Sequence, residues 1–292
     1  MRYYLVILFT VLSSLTFARE QWAIVVGISR YPESSGWNNI NGANDIGIIV
    51  QMLQRNGFKS NHIDTLTNEQ ATKVNIRDAV NDLYGNIKCG DVVYFHFSGH
   101  GQLITDIDGD EKGNDSEGWD EALVPYDAKL RYEDEPSGYK GENHIVDDDL
   151  NKWLVRLKNK LGPSGKLVVV LDACHSGGGS RYETDDSIVI RGVTEKFDLP
   201  RSAADFKTAH PNPIQWVCIS ACKWTQSNEE YQDAGRFYGR LSYALSKIFS
   251  KSLTITELEQ KLQSQYDKMP KKGRSLQEPI IEYDGASTET IM

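Results

Sequence analysis

Two strand-to-turn segments carry the residues of this chain best suited to covalent chemistry. The run Asp91-Val92-Val93-Tyr94-Phe95-His96-Phe97 leads into Ser98-Gly99-His100-Gly101, and Lys166 to Leu171 leads into Asp172-Ala173-Cys174-His175-Ser176-Gly177-Gly178-Gly179. A thiol has an ordinary pKa of ~8.5 and attacks as the thiolate, so an imidazole within reach raises its reactive fraction and can then protonate the departing amine. Glycines after Cys174 let main-chain N–H groups approach a carbonyl oxygen, and Gly99 or Gly101 offers a further donor to the oxyanion. A lone buried cysteine is ordinarily a packing residue. Two Gly-flanked motifs at the ends of apolar strands favour instead a Cys174–His100 pair, with His96 inside its strand and His175 pointing away.

The elements around these turns alternate. Trp22 to Ile28 is a continuous apolar run, as expected of a strand buried on both faces of a parallel sheet. Ile46, Ile49, Val50, Leu53 and Phe58 follow at near-helical spacing, stopped by Asn56-Gly57, and His62 to Leu66 reads as a strand. A weaker amphipathic helix spans Val74 to Tyr84 with Thr72 as its cap. The two chemistry-bearing strands flank a helix over Asp149 to Leu161, and Ile214 to Ser220 is a further strand. Leu241 to Phe249 and Ile255 to Tyr266 read as helices, and Pro279 to Tyr283 as a last short strand. This βαβ alternation predicts an α/β fold with a parallel sheet, in which reactive groups gather at the carboxyl ends of the strands. Two long segments, Gly101 to Ile145 and Ser176 to Pro213, read as irregular, and loops of that length inside one domain are usually functional.

Composition narrows the partners. The 292 residues carry 32 Lys and Arg against 41 Asp and Glu, a formal charge of −9, which disfavours nucleic acid or an anionic membrane and suits a cationic substrate or a metal ion. Residues 1–18 read as a secretory signal peptide: a basic start at Arg2, an apolar run from Leu5 to Leu15, and a small-residue end at Ala18. That run is shorter than the ~18–20 residues that span a bilayer, so an exported protein without a stable membrane anchor is expected, periplasmic or secreted, as a monomer. The four cysteines are too few for a disulfide-built scaffold, and no structural disulfide is expected.

The segments Val93 to Gly101 and Leu171 to Gly177 resemble the catalytic blocks of metacaspases, within the caspase-like peptidase clan. Trp22 to Ile28, Asn44-Asp45, Gly118-Trp119-Asp120-Glu121, Ile145 to Asp149, Ile219 to Cys222 and Gln277-Glu278-Pro279 fall in that family's order. The resemblance implies a caspase-like fold, a largely parallel six-stranded sheet sandwiched between helices, with His100 and Cys174 as the dyad. It implies one peptidase domain over 19–292, with a large-subunit-like part to about 180, a linker over about 181–213, and a small-subunit-like part from about 214. Where true caspases carry a glutamine two residues before the nucleophile, this chain has Asp172; a carboxylate there favours Arg or Lys before the scissile bond and repels Asp. The family's pattern also puts Asp45 and Ser98 in that pocket, with a helix-start carboxylate as the rival reading of Asp45.

Metacaspases are often calcium-activated, and the family's ligand positions match Asp120, Asp147 and Asp148. The acidic run Asp106 to Asp115 lacks the glycine and closing glutamate of an EF-hand, and its plain reading is a solvated loop. A further family ligand falls near Arg181, with Glu183, Asp185 and Asp186 close by. Arg181, Arg191, Lys196, Arg201 and Lys207 make the linker a target for self-cleavage, or simply an exposed segment open to any protease. Departures from the family pattern are Gly42, where a cysteine is common, and Lys223-Trp224, where acids are common. Two other functions stay open: a non-catalytic binding or scaffold protein of the same clan, and a broad digestive protease resembling gingipains or clostripain.

Overall fold

The computed structural model describes residues 19–106, 119–174, 189–200, 215–223, 226–270 and 276–292. The segment 1–18, most of the acidic run, and Arg181, Glu183, Asp185, Asp186, Arg201 and Lys207 lie outside the described residues.

The apolar runs form the expected sheet. Strands β1 (Gln21–Gly27), β2 (Ile63–Thr67), β3 (Val92–Ser98), β7 (Lys166–Asp172), β8 (Val217–Ser220) and β11 (Ile280–Glu282) lie in the order β11-β8-β7-β3-β1-β2. All neighbours are parallel except β11, which runs antiparallel to β8. Successive strand residues point to opposite faces, and the core divides accordingly. Ile24, Val26, Val93, Phe95, Leu167 and Val169 pack under α2 (Lys73–Asn86) and α3 (Asp147–Leu161). Ala23, Val25, Val92, Tyr94, Val168 and Val170 pack under α1 (Ala43–Arg55), α4 (Arg240–Ile248) and α5 (Ile255–Lys268). Burying each such large apolar side chain is worth roughly 1.5–3 kcal/mol, so strands buried on both faces hold the platform rigid.

Local signals set the helix ends. Thr72 caps α2 by accepting from the Asn75 N–H, and Thr254 and Glu257 form a reciprocal capping box at the start of α5. Asp147, Asp148 and Asp149 sit in the first turn of α3, where the helix dipole favours acids.

The segment read as irregular from Gly101 to Ile145 is in part a second sheet. Strands β4 (His100–Thr105), β5 (Trp119–Val124) and β6 (Ile145–Val146) pair antiparallel in the order β4-β5-β6. A hairpin of β9 (Glu230–Asp233) and β10 (Arg236–Gly239) was likewise not anticipated. Among the described residues no helix is long and apolar enough to cross a membrane.

Candidate active site

Register places the two reactive turns side by side. Ser98 at the end of β3 pairs with Asp172 at the end of β7, so His100 and Cys174 each lie two residues beyond a paired position on neighbouring strands. Both side chains are buried.

His100 is oriented by its surroundings. Its ring stacks on Trp37 at 4.8 Å and leans on Tyr31 at 5.2 Å, while its backbone N–H donates to the Tyr31 hydroxyl. Nε2 lies 2.9 Å from the carbonyl oxygen of Asn38, an acceptor only, so Nε2 carries the proton and Nδ1 keeps its lone pair. Among the described residues Nδ1 has no hydrogen-bond partner. Burial drives the His100 pKa down to about 4, against the raising influence of the Asn38 carbonyl, so near neutral pH the ring is an uncharged base. The Cys174 thiol donates to the Gln226 carbonyl at 2.9 Å. Cys222 shares that acceptor at 3.5 Å, and its thiol is held well above the ordinary range, first by its hydrogen bond with Cys174 and then by burial.

The expected pocket residues meet beneath these turns. Asp45 lies in the first turn of α1, yet its carboxylate turns inward, accepting from the Ser98 hydroxyl and, at 3.0 Å, from the Gly239 N–H. Asp172 accepts from Asn228 Nδ2 at 2.8 Å and from the Ser242 N–H and hydroxyl at 2.8 and 2.6 Å. His96, kept neutral by burial, supports Ser242 from the strand below at 3.1 Å. A Cβ on Gly239 would lie 2.0 Å from the Asp172 carboxylate, so a side chain there would fill the pocket.

Sequence reasoning did not foresee what occupies that pocket. Arg191, fully buried, sets Nη1 2.8 Å from Asp45, 2.5 Å from Ser98 and 3.5 Å from an Asp172 oxygen, and its Nε 3.0 Å from Glu230. Glu230 is held in turn by the backbone N–H and side-chain amide of Asn41, at 2.8 and 2.6 Å. Burial raises Asp45 to about 6, with the Asp172 charge adding to it, whereas at Asp172 the Arg191 charge and the hydrogen bonds from Asn228 and Ser242 overcome burial and lower the pKa. The third carboxylate follows Gln226-Ser-Asn-Glu, and its acidity was the sole sequence signal.

The remaining expected residues sit further out. The Gly99 N–H faces the Asp172 carbonyl at 3.4 Å, and Gly101 lies on β4 opposite Leu123. The N–H that meets a carbonyl beside the nucleophile is that of Cys174, which donates to Arg191 O at 2.8 Å. Asp120 is on β5, two residues before Ala122, whose partner Val146 directly precedes Asp147 and Asp148. The register thus brings these three acids to one edge, but Asp148 pairs with Lys152, and no group of three or more His, Cys, Asp or Glu side chains among the described residues is placed to hold a metal.

Residues 21–180 match the family described as Metacaspase, peptidase C14 domain. A metacaspase-1 of Cryptococcus neoformans is 27% identical over 305 residues, covering 87% of this chain and 62% of the relative. A metacaspase-1 of Meyerozyma guilliermondii is 35% identical over 163 residues, covering 53% of this chain and 35% of the relative. The chain thus spans less than two thirds of the length of these relatives. Two crystal structures share the fold. One is of a Geobacter sulfurreducens protein, with TM-score 0.61, 19% identity, and coverage of 91% of this chain and 94% of that one. The other is caspase-1 from Spodoptera frugiperda, with TM-score 0.56, 14% identity, and coverage of 91% and 86%. With more than half its length matched by that domain and the paired Cys-His strand ends in place, the chain belongs to the metacaspase family.

Proposed function

We propose that this protein is a cysteine endopeptidase that cuts after Arg or Lys, with Cys174 as nucleophile and His100 as base, stimulated by calcium and able to process its own linker. One observation carries the reading: three buried carboxylates, Asp45, Asp172 and Glu230, converge on a guanidinium in a pocket that begins two residues before Cys174. Carboxylates desolvated in this way gain most from a cationic side chain and repel an acidic one.

The chemistry follows from the positions of the groups. Neutral His100 takes the thiol proton at Nδ1, and the thiolate attacks the carbonyl of the residue whose side chain fills the pocket. The Cys174 N–H donates to the developing oxyanion, and His100 returns the proton to the leaving amine. Water then hydrolyses the thioester. The calcium part rests on the acids that the register gathers at the β5–α3 edge and on their match to the family's ligand positions.

Fluorogenic peptides ending in Arg, Lys or Asp, with and without calcium, test the proposal on the purified protein beside Cys174→Ala. Calcium-stimulated hydrolysis after Arg or Lys, abolished in Cys174→Ala, is the expected result. Absence of hydrolysis under every condition would favour a scaffold role, and cleavage after Asp would overturn the pocket.

A further inference from the structure

Arg191 is more than a counter-ion in the acidic pocket, because its backbone is also held as a substrate's would be. Val189 to Arg191 run as an added antiparallel strand beside 228–230: Ile190 bridges Glu229, the Glu230 N–H donates to Val189 O at 2.9 Å, and the Arg191 N–H donates to Asn228 O at 2.9 Å. Strand addition of this kind is a common way for a protein to grip an extended peptide without reading its sequence. The Arg191 carbonyl receives the Cys174 N–H at 2.8 Å, the contact an oxyanion at that carbon would need. The following residue lies directly against the nucleophile's own backbone. A Cβ on Gly192 would stand 2.4 Å from Cys174 O and 3.1 Å from Cys174 Cβ, so only glycine passes there. Downstream, Phe197 hydrogen-bonds β4 through the Leu103 carbonyl and the Thr105 N–H, tethering the segment on the far side as well.

We propose, resting on the peptidase reading above, that Val189-Ile190-Arg191 is this enzyme's own first substrate, cut at Arg191–Gly192, and that Glu230 makes the pocket select arginine over lysine. In the cut, a C–S bond forms between Cys174 and the Arg191 carbonyl carbon while the C–N bond to Gly192 breaks. The thiol proton, passed through His100, goes to the Gly192 amine. One water then adds to the acyl carbon, releasing the Arg191 carboxylate and restoring the thiol, so the net change is one water consumed. Until the cut, the segment fills the cleft and excludes other substrates.

The selectivity follows from where the donors lie. Asp45 and Asp172 meet Nη1, which a lysine ammonium can imitate, whereas Glu230 meets Nε, partway along the side chain, where lysine has only carbon. A lysine therefore leaves the buried Glu230 carboxylate with its two Asn41 donors but no cationic one, and losing that charge-assisted hydrogen bond gives a preference for arginine of about tenfold or more. Glu230→Gln removes that charge and brings the two rates together.

The test uses the full chain. Denaturing mass spectrometry and N-terminal sequencing of the incubated protein are expected to give a fragment beginning Gly192-Val193-Thr194-Glu195, absent from Cys174→Ala and formed about tenfold more slowly in Arg191→Lys. Peptide hydrolysis should show a lag that ends as this fragment accumulates, and the Arg-to-Lys ratio of kcat/KM should fall towards one in Glu230→Gln. Active enzyme whose Arg191–Gly192 bond stays whole would overturn the proposal and make Arg191 a permanent counter-ion, as would first cleavage at Lys196 or Arg201. An Arg-to-Lys ratio unmoved by Glu230→Gln would overturn the selectivity. Failure to cut any peptide would instead strike the peptidase reading on which the proposal rests.

Discussion

Replacing Asp172 by asparagine keeps the shape of the pocket and removes one charge. The native carboxylate accepts from Ser242 twice and from Asn228 once, and faces the Arg191 guanidinium at 3.5 Å. An amide cannot satisfy all of these. If its oxygen stays on Ser242, its NH2 group confronts the Asn228 amide and the guanidinium; if it flips, the NH2 group confronts the Ser242 N–H. Either way a charge-assisted hydrogen bond is replaced by a donor facing a donor. A hydrogen bond to a charged group is worth about 1.5–3 kcal/mol, and 1.36 kcal/mol is tenfold in rate. The variant should therefore lose about tenfold to about 150-fold in kcat/KM on peptides ending in Arg. Citrulline, the neutral isostere of arginine, never drew on that charge, and its hydrolysis should stay within about threefold of the wild-type rate. Asp45 keeps some preference for a cation, because removing Asp172 withdraws one of the influences that raise its pKa. The assay is steady-state hydrolysis of matched Arg and citrulline peptides, with a thermal melt to verify folding. Equal losses on both peptides, or no loss on Arg, would refute the assignment of Asp172 to the pocket.

Three further outcomes follow from the same framework. His100, His96 and His144 are buried and neutral, with pKa values pushed by burial to about 4, about 4 and about 3. The stability their neutral forms contribute is complete above the ordinary histidine pKa of ~6.5 and is lost as pH falls through that value towards 4, about 2 kcal/mol each by pH 5. Asp45, raised to about 6, works in the opposite direction, so the differential is read in His144→Gln, whose loss between pH 7 and pH 5 by urea denaturation should be smaller by about 2 kcal/mol; an unchanged loss contradicts it. Leu157→Ala, at a fully buried position on the core-facing side of α3, should cost about 2–5 kcal/mol in the same assay without changing the Arg-to-Lys ratio. Trp37→Ala removes the face on which His100 stacks and should lower kcat more than it raises KM, whereas an effect confined to KM would contradict a positioning role.

The central strands were legible because residues buried on both faces leave unbroken apolar runs, and the turns after β3 and β7 because Gly, His and Cys stand out where such runs stop. The antiparallel pieces were less so. Gly101-Gln102-Leu103-Ile104-Thr105 is short, and its partner β5 follows a long acidic stretch, so the two read together as loop. The β9–β10 hairpin turns at Ala234 and Gly235, both with positive φ. Such a turn normally announces itself by Asn-Gly or Asp-Gly, and Ala234 hides it. Asp45, Ser98 and Asp172 were named because a family pattern pointed to them. Arg191 and Glu230 meet across 39 positions of chain and could not be paired from local sequence. Asp120, Asp147 and Asp148 were likewise named from a family pattern, and only the pairing of β5 with β6 brings the first near the other two across 27 positions of chain.

The central claim is a Cys174 nucleophile beside a pocket for a basic side chain, and covalent capture tests it directly. A peptide ending in an arginyl chloromethyl ketone, incubated with the processed protein and followed by peptide mapping, should add one inhibitor at Cys174 and none at Cys89, Cys218 or Cys222, while the aspartyl analogue should add none. Labelling at another cysteine, or equal labelling by the two reagents, would contradict the account.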